Sequence, residues 1–154
     1  MKSMYELVSP DNLEANYHAK DKDDAIRYAG KLLYDSGIIE ERYIDAMIRT
    51  SEMFGAYIVL LPGLAMPHAR PEDGAKQVGF SLITLAEPVD FGNEQYDPVK
   101  IVIAVASSGN EEHLLLMSGL SQILQDQQII GSIKEATDRT ELLHLLQAKA
   151  ESVS

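Results

Sequence analysis

One stretch of the chain ends a predicted strand and opens a candidate site: Leu60-Leu61-Pro62-Gly63-Leu64-Ala65-Met66-Pro67-His68-Ala69-Arg70-Pro71. An apolar run breaks there into a loop punctuated by proline and glycine. Gly63 can take a positive φ, while Pro67 and Pro71 fix their own φ and favour extended geometry in the residue before them. The loop therefore has few conformations and holds the imidazole of His68 within reach of another molecule. His68 is either a nucleophile that accepts a phosphoryl group or a histidine that makes a structural hydrogen bond.

Working outward, three apolar runs predict the strands of a covered sheet. Residues 57–61 precede the loop, so His68 is expected to follow a strand end. The runs Phe80 to Leu85 and Ile101 to Ala106 are bounded by glycine, proline and aspartate, as strands often are.

Helical spacing surrounds these strands. Ile26, Ala29 and Leu33 predict an amphipathic helix from Asp23 to Tyr34, and a second pattern contains Tyr43, Ile44, Met47 and Ile48. The sequence also marks helix ends, with Asp21 as a cap, Gly37 beyond the first helix, and Asp138 with Glu141 as an approximate capping box for the last. Helices that flank a central group of strands indicate an α/β sandwich.

A second histidine follows the strand Ile101 to Ala106. Counting from an Asn110 cap, His113 falls in the first turn of a helix whose apolar stripe includes Leu116, Leu120 and Ile123. The positive end of that helix favours an anion, so phosphate is one candidate neighbour for His113. The alternative is a structural histidine paired with Glu111 or Glu112. His18 and His144 have no companions at metal-ligand spacing, and no metal site is predicted.

Length and charge limit the classes of protein that remain. The 154 residues fit one domain, predicted to span 1–154, and the 24 acidic against 13 basic side chains give a net charge of −11. That charge disfavours nucleic acid and favours a basic partner. The chain has no cysteine and no apolar run near the roughly 20 residues that span a bilayer, and its first residues lack a signal-peptide core. We therefore expect a cytoplasmic protein.

The segment Leu64-Ala65-Met66-Pro67-His68 resembles the active-site signature of enzyme IIA domains of the mannitol/fructose type, from the bacterial phosphoenolpyruvate-dependent sugar phosphotransferase system (PTS). The longer segment from Pro62 to Gly74, with Arg-Pro-Glu-Asp-Gly near its end, is most similar to the ascorbate-type subgroup. The likeness runs from the helix at Asp23 to the last helix near Leu146. It implies the fold of that family, α/β with a central mixed sheet flanked by helices on both faces.

The resemblance also implies a phosphotransferase component with a phosphohistidine intermediate. In that family the matching histidine takes a phosphoryl group from the phosphocarrier protein HPr and hands it to a IIB component, which serves a membrane IIC transporter. The role falls on His68, as a tele-phosphohistidine, and His113 matches the second active-site histidine, which would stabilise the phosphoryl group. The sugar would be ascorbate-like, and no cofactor is expected.

Four neighbours of His68 complete the predicted site. Arg70 is either a contact for phosphate or the partner, or an ordinary solvated arginine. Ala69 is a further candidate contact, although many family members have glycine there. Because transfer between proteins needs a shallow patch, we expect apolar residues such as Leu64 and Met66 to ring the site and dock the partner.

Two other functions are compatible with the sequence. A regulatory domain of the nitrogen-phosphotransferase type would control a protein partner through its phosphorylation state and would feed no transporter. A histidine-dependent hydrolase is the third hypothesis, and the sequence offers it neither a metal cluster nor a serine or cysteine nucleophile motif.

Overall fold

A computed structural model describes residues 3–153 of the chain. Within these residues the helices are α1 Met4–Leu7, α2 Lys22–Asp35, α3 Glu41–Ile58, α4 Asn110–Leu124, α5 Gln127–Glu135 and α6 Arg139–Val153. The strands are β1 Leu13–Tyr17, β2 Val59–Leu61, β3 Leu64–Ala65, β4 Gly79–Val89 and β5 Val99–Ala106. None of the helices in this range is both long and apolar enough to cross a membrane.

The strands form one mixed sheet in the order β1-β4-β5-β3-β2. The pairs β1/β4 and β3/β5 are parallel, whereas β4/β5 and β2/β3 are antiparallel. Since β3 and β5 are parallel neighbours, their carboxyl ends lie at the same edge of the sheet. The chain segments that follow Ala65 and Ala106 therefore start side by side.

The sheet is covered on both faces, as β5 illustrates. Val102, Ala104 and Ala106 belong to a core shared with α2 and α3. The alternate residues Ile101, Ile103 and Val105 belong to a second core, shared with α1, α4, α5 and α6. A strand buried on both faces is apolar at every position, which is why this run shows no polar alternation. The predicted α/β fold, a central mixed sheet flanked by helices on both faces, is confirmed.

Helix ends follow the capping signals in most cases. The Asp21 carboxylate accepts the Asp24 N–H at 2.8 Å, and Gly37 has the positive φ of 77° expected beyond a helix end. Asp138 accepts the Glu141 N–H at 2.9 Å, so the predicted cap of α6 is confirmed. The Glu141 carboxylate does not return to the cap residue but accepts the Thr137 hydroxyl at 2.6 Å.

Three elements differ from the prediction. The strand predicted over residues 57–61 begins only at Val59, because α3 passes a break at Phe54 (φ −132°, ψ 32°) and continues to Ile58. The two-residue β3 is too short for any periodicity to reveal, and it follows a tight turn in which Gly63 has φ 76°. The edge strand β1 carries interspersed polar residues and makes no apolar run.

Candidate functional site

The loop after β3 is attached to β5 directly before His68. The Pro67 carbonyl accepts the Val105 N–H at 3.1 Å, which prolongs the parallel pairing of β3 and β5 beyond Ala65. Pro67 is buried, whereas His68 is exposed. The fold thus fixes the backbone on one side of the histidine and leaves the ring open to solvent.

One hydrogen bond determines which nitrogen of His68 carries the proton. Nδ1 lies 3.0 Å from the Met66 carbonyl oxygen. A carbonyl oxygen only accepts, so Nδ1 must carry the hydrogen and donate it. In the neutral ring the lone pair is then on Nε2, the nitrogen that faces away from this internal contact. The contact therefore prepares Nε2 to act as a nucleophile.

Tyr43, in the first turn of α3, fixes the other side of the loop. Its ring is 1% exposed, and its hydroxyl donates to the Val105 carbonyl at 2.7 Å and accepts the Ala69 N–H at 3.1 Å. The same hydroxyl lies 3.3 Å from the Ala69 carbonyl. One phenol thus joins α3, β5 and the residue after His68. The sequence pattern had placed Tyr43 only among the apolar positions of a helix, and these contacts carry no local signal.

We expect Tyr43→Phe to lower the free energy of unfolding by about 1–3 kcal/mol near pH 8, because it leaves buried polar groups of Val105 and Ala69 unpaired. Burial raises the pKa of Tyr43 from 10.0 to about 12. Between pH 10 and pH 12 the unfolded chain therefore loses a proton that the folded chain keeps, and the wild type loses stability. The stability difference between wild type and variant should shrink over this range.

Urea unfolding at several pH values measures this difference. Tyr34→Phe is the control, since Tyr34 is 44% exposed and its hydroxyl makes no hydrogen bond with a described residue. It should stay within about 0.5 kcal/mol of the wild type. A stability gap for Tyr43→Phe that is absent at pH 8, or that widens towards pH 12, would contradict the proposed hydroxyl contacts.

Ala69 and Arg70, two predicted site residues, differ in whether they have a group available to bind an anion. The Ala69 N–H already donates to the Tyr43 hydroxyl, so this backbone group is not free to bind phosphate, and the predicted contact of Ala69 with phosphate or the partner would have to use another atom. The Arg70 N–H donates to the Asp73 carboxylate at 3.0 Å, and this bond holds the backbone of the loop. The Arg70 side chain is 81% exposed, and its closest carboxylate contact is Glu72 at 3.9 Å. The guanidinium is therefore accessible to an anion.

His113 lies near the start of α4, after the carboxyl end of β5. Its Nδ1 is 3.2 Å from the hydroxyl oxygen of Ser107, which is buried directly beyond β5. The predicted Asn110 cap is wrong: Gly109 is the extended N-cap residue, it provides no side-chain cap, and Asn110 is the first helical residue. His113 is thus the fourth residue of α4, and its N–H bonds to the Gly109 carbonyl at 3.0 Å. Its ring remains exposed.

The topology brings His68 and His113 to one edge of the sheet. His68 follows β3, and Ser107, the partner of His113, follows the parallel neighbour β5. His18 follows β1, which ends at the opposite edge because β1 is parallel to β4 and β4 is antiparallel to β5. His144 lies within α6 and is exposed. The two histidines selected from the sequence are therefore the two that the fold groups together.

The predicted apolar ring is wrong in its members. Leu64 and Met66 are 1% and 3% exposed and pack in the core beneath α4 and α5, so their side chains do not form an exposed ring around His68. Leu114 and Leu115, directly after His113, are 68% and 50% exposed. The sequence could have predicted their exposure, because helical periodicity places both outside the buried apolar stripe that begins at Leu116.

Comparisons with known proteins place the chain in a family. The family model described as "Phosphoenolpyruvate-dependent sugar phosphotransferase system, EIIA 2" matches residues 6–149. The ascorbate-specific PTS system EIIA component of Escherichia coli (strain K12) is 34% identical over 149 residues, covering 95% of this chain and 96% of its own length.

Two solved structures extend the comparison. The solution structure of the mannitol-specific cryptic phosphotransferase enzyme IIA of Escherichia coli superimposes with a TM-score of 0.87 at 30% identity, over 96% of this chain and 99% of that one. Enzyme IIA in the Escherichia coli complex of mannitol IIA with phosphorylated mannitol IIB gives a TM-score of 0.79 at 29% identity, over 91% of this chain and 96% of that one. The chain belongs to the type 2 EIIA family of the phosphoenolpyruvate-dependent sugar phosphotransferase system, whose members mediate phosphoryl transfer.

Proposed function

We propose that this chain accepts a phosphoryl group from HPr on Nε2 of His68 and donates it to a IIB component during uptake of an ascorbate-like sugar through a IIC transporter. The observation that carries the proposal is the exposed His68 ring with its Nδ1–H bound to the Met66 carbonyl. The ascorbate-specific names of the relatives support the sugar class. The mannitol IIA structure in complex with phosphorylated IIB supports a IIB partner.

The Met66 contact suits both halves of the transfer. The lone pair of Nε2 attacks phosphorus, the new P–N bond forms, and the donor's bond to phosphorus breaks with its electron pair leaving on the donor. Nδ1 keeps its hydrogen, so the phosphorylated ring carries positive charge, which the Met66 carbonyl oxygen stabilises. A cationic ring is a good leaving group. The same ring can then pass the phosphoryl group to IIB by the reverse displacement.

Nδ1 of His113 faces a different kind of partner from that of His68: the hydroxyl of Ser107 in place of a carbonyl. A hydroxyl can donate as well as accept. When it donates to Nδ1, the hydrogen of the neutral His113 ring is on Nε2. A ring held in that tautomer can donate to the oxygens of the phosphoryl group in flight, where phosphoryl-transfer catalysts act most strongly. The acidic side chains of Glu111 and Glu112 already offset the positive end of α4. The proposed stabilisation therefore depends on the His113 ring and on the exposed guanidinium of Arg70, two residues after His68.

We assign docking of the IIB partner to Leu114 and Leu115, the two exposed leucines directly after His113. We expect Leu114→Asp with Leu115→Asp to slow transfer to IIB by about tenfold or more at subsaturating IIB, because exposed apolar side chains beside a reacting centre bury on association. Rates measured against IIB concentration should show the loss mainly as a higher KM.

The matched control for docking is Ser118→Asp with Gln122→Asp. It adds the same two charges to exposed positions further along α4. This control should transfer at the wild-type rate. Equal slowing in the two double variants would mean that added negative charge on α4, and not loss of the leucines, governs the encounter.

Reconstitution tests the proposed function. The chain is incubated with labelled phosphoenolpyruvate, enzyme I and HPr, and the labelled product is then chased with an ascorbate-type IIB. The proposal requires label on this chain only when HPr is present, followed by its loss to IIB. Label that enters the chain without HPr, or that no ascorbate-type IIB removes, would overturn the corresponding step.

A further inference from the structure

A concave site that His68 does not line lies between the β2–β3 hairpin and helices α4 and α5. It is a cleft of about 690 Å³. This volume is in the range of about 300–1,000 Å³ that small-molecule sites occupy. Its walls are largely apolar, with Leu60 and Leu61 on the hairpin and Met117 and Leu124 on α4.

The charges of this cleft contrast with those of the chain. Among the described residues that line it there is no aspartate or glutamate, although the chain has 24 acidic side chains. Its one charged lining residue in that described set is Lys134, on α5. An acidic protein with a net charge of −11 thus presents here an apolar cleft with a single positive group.

Lys134 is half-buried, and its ammonium makes no hydrogen bond or ion pair with any described residue. The other half-buried lysines differ: Lys22 and Lys149 contact carboxylates, and Lys100 donates to a backbone carbonyl. The ammonium of Lys134 lies beside Gly63, at the turn of the hairpin. A partly desolvated ammonium without a partner favours an anion from outside the chain.

We propose that this cleft binds a small amphipathic anion, with an apolar body against the leucine and methionine side chains and a carboxylate-like group at Lys134 Nζ. The apolar walls would supply the affinity, and the lysine would select the charged end. The two methionines, Met66 and Met117, can adjust to ligands of different shape. This inference does not depend on the proposed phosphoryl transfer.

The alternative is that Lys134 only interacts with the negative end of α5, in whose last turn it lies. That role needs no ligand and gives no preference for an anion. A pair of probes that differ only in charge separates the two roles. Octanoate and octanamide have the same apolar tail, and only octanoate can pair with the ammonium.

The experiment uses the full chain with ¹³C-labelled methionine methyl groups, titrated with each probe and followed by NMR. The Met66 and Met117 signals should shift saturably, while Met47, which is 0% exposed in the opposite core, should not. Octanoate should bind about tenfold more tightly than octanamide, and Lys134→Gln should remove that difference. Lys134→Arg should retain it.

Lys76→Gln is the control, because Lys76 is exposed and outside the cleft. It should bind octanoate like the wild type. The proposal is overturned if the Met66 and Met117 signals do not saturate, if octanamide binds the wild type as tightly as octanoate does, or if Lys134→Gln keeps the preference for octanoate.

Discussion

Replacing His68 by glutamine is expected to abolish phosphoryl incorporation from phosphoenolpyruvate, enzyme I and HPr. The glutamine amide fills part of the space of the ring and has no nitrogen lone pair that can attack phosphorus. Because the His68 side chain is exposed, the fold should be retained. The measurement is the amount of label on the chain after complete reaction, with circular dichroism to show that the variant is folded.

The control for this variant is His144→Gln. His144 is also exposed, but it lies on α6 and outside the loop that carries His68. It should take up as much label as the wild type. Label that persists on His68→Gln would assign the phosphoryl group to another residue and overturn the proposed role of His68.

The hydrogen bond of His68 also predicts which nitrogen of the proposed phosphohistidine carries phosphorus. Nδ1 is engaged with the Met66 carbonyl, so phosphorus should be bonded to Nε2, the tele position. Phosphorus–nitrogen couplings in the ¹⁵N-labelled phosphoprotein distinguish the two nitrogens. Phosphorus on Nδ1 would mean that the loop opens before transfer and that the Met66 contact does not prepare the nucleophile.

The parts of the fold that sequence could predict are those with strong local signals. The α2 cap at Asp21, the positive φ of Gly63 and the apolar run in β5 each depend on residue types that favour one local geometry. The loop before His68 is restricted by its own prolines. These features were read correctly because few alternatives compete with them.

The sequence could not predict side-chain positions that depend on contacts between residues far apart in the chain. Leu64 and Met66 stand beside the site in sequence, but Leu64 lies on the interior strand β3 and Met66 directly follows it, so both side chains pack in a core. The Tyr43 hydroxyl donates to the carbonyl of Val105, 62 residues further along the chain, and helical periodicity cannot predict such a contact. The family resemblance located the histidines, but only the structure shows which hydrogen-bond partner each ring has.

The second prediction with a large expected effect concerns His113. His113→Ala should slow both acceptance from HPr and transfer to IIB by about 100-fold, the usual cost of losing one donor to a developing oxyanion. Final label and its position on His68 should be unchanged, since His113 does not bond to phosphorus. Quench-flow rates measured in both directions test this, and equal rates for variant and wild type would reduce His113 to a structural residue.

Ser107→Ala distinguishes donation by His113 from simple space filling. The variant keeps the His113 ring but removes the hydroxyl 3.2 Å from Nδ1, so the ring can adopt either tautomer. We expect an intermediate slowing, smaller than for His113→Ala, and no additional slowing when the two substitutions are combined. Independent, multiplying effects would show that Ser107 acts without His113. Non-additive effects would instead support one unit in which the hydroxyl at the end of β5 sets the proton that His113 offers to the phosphoryl group.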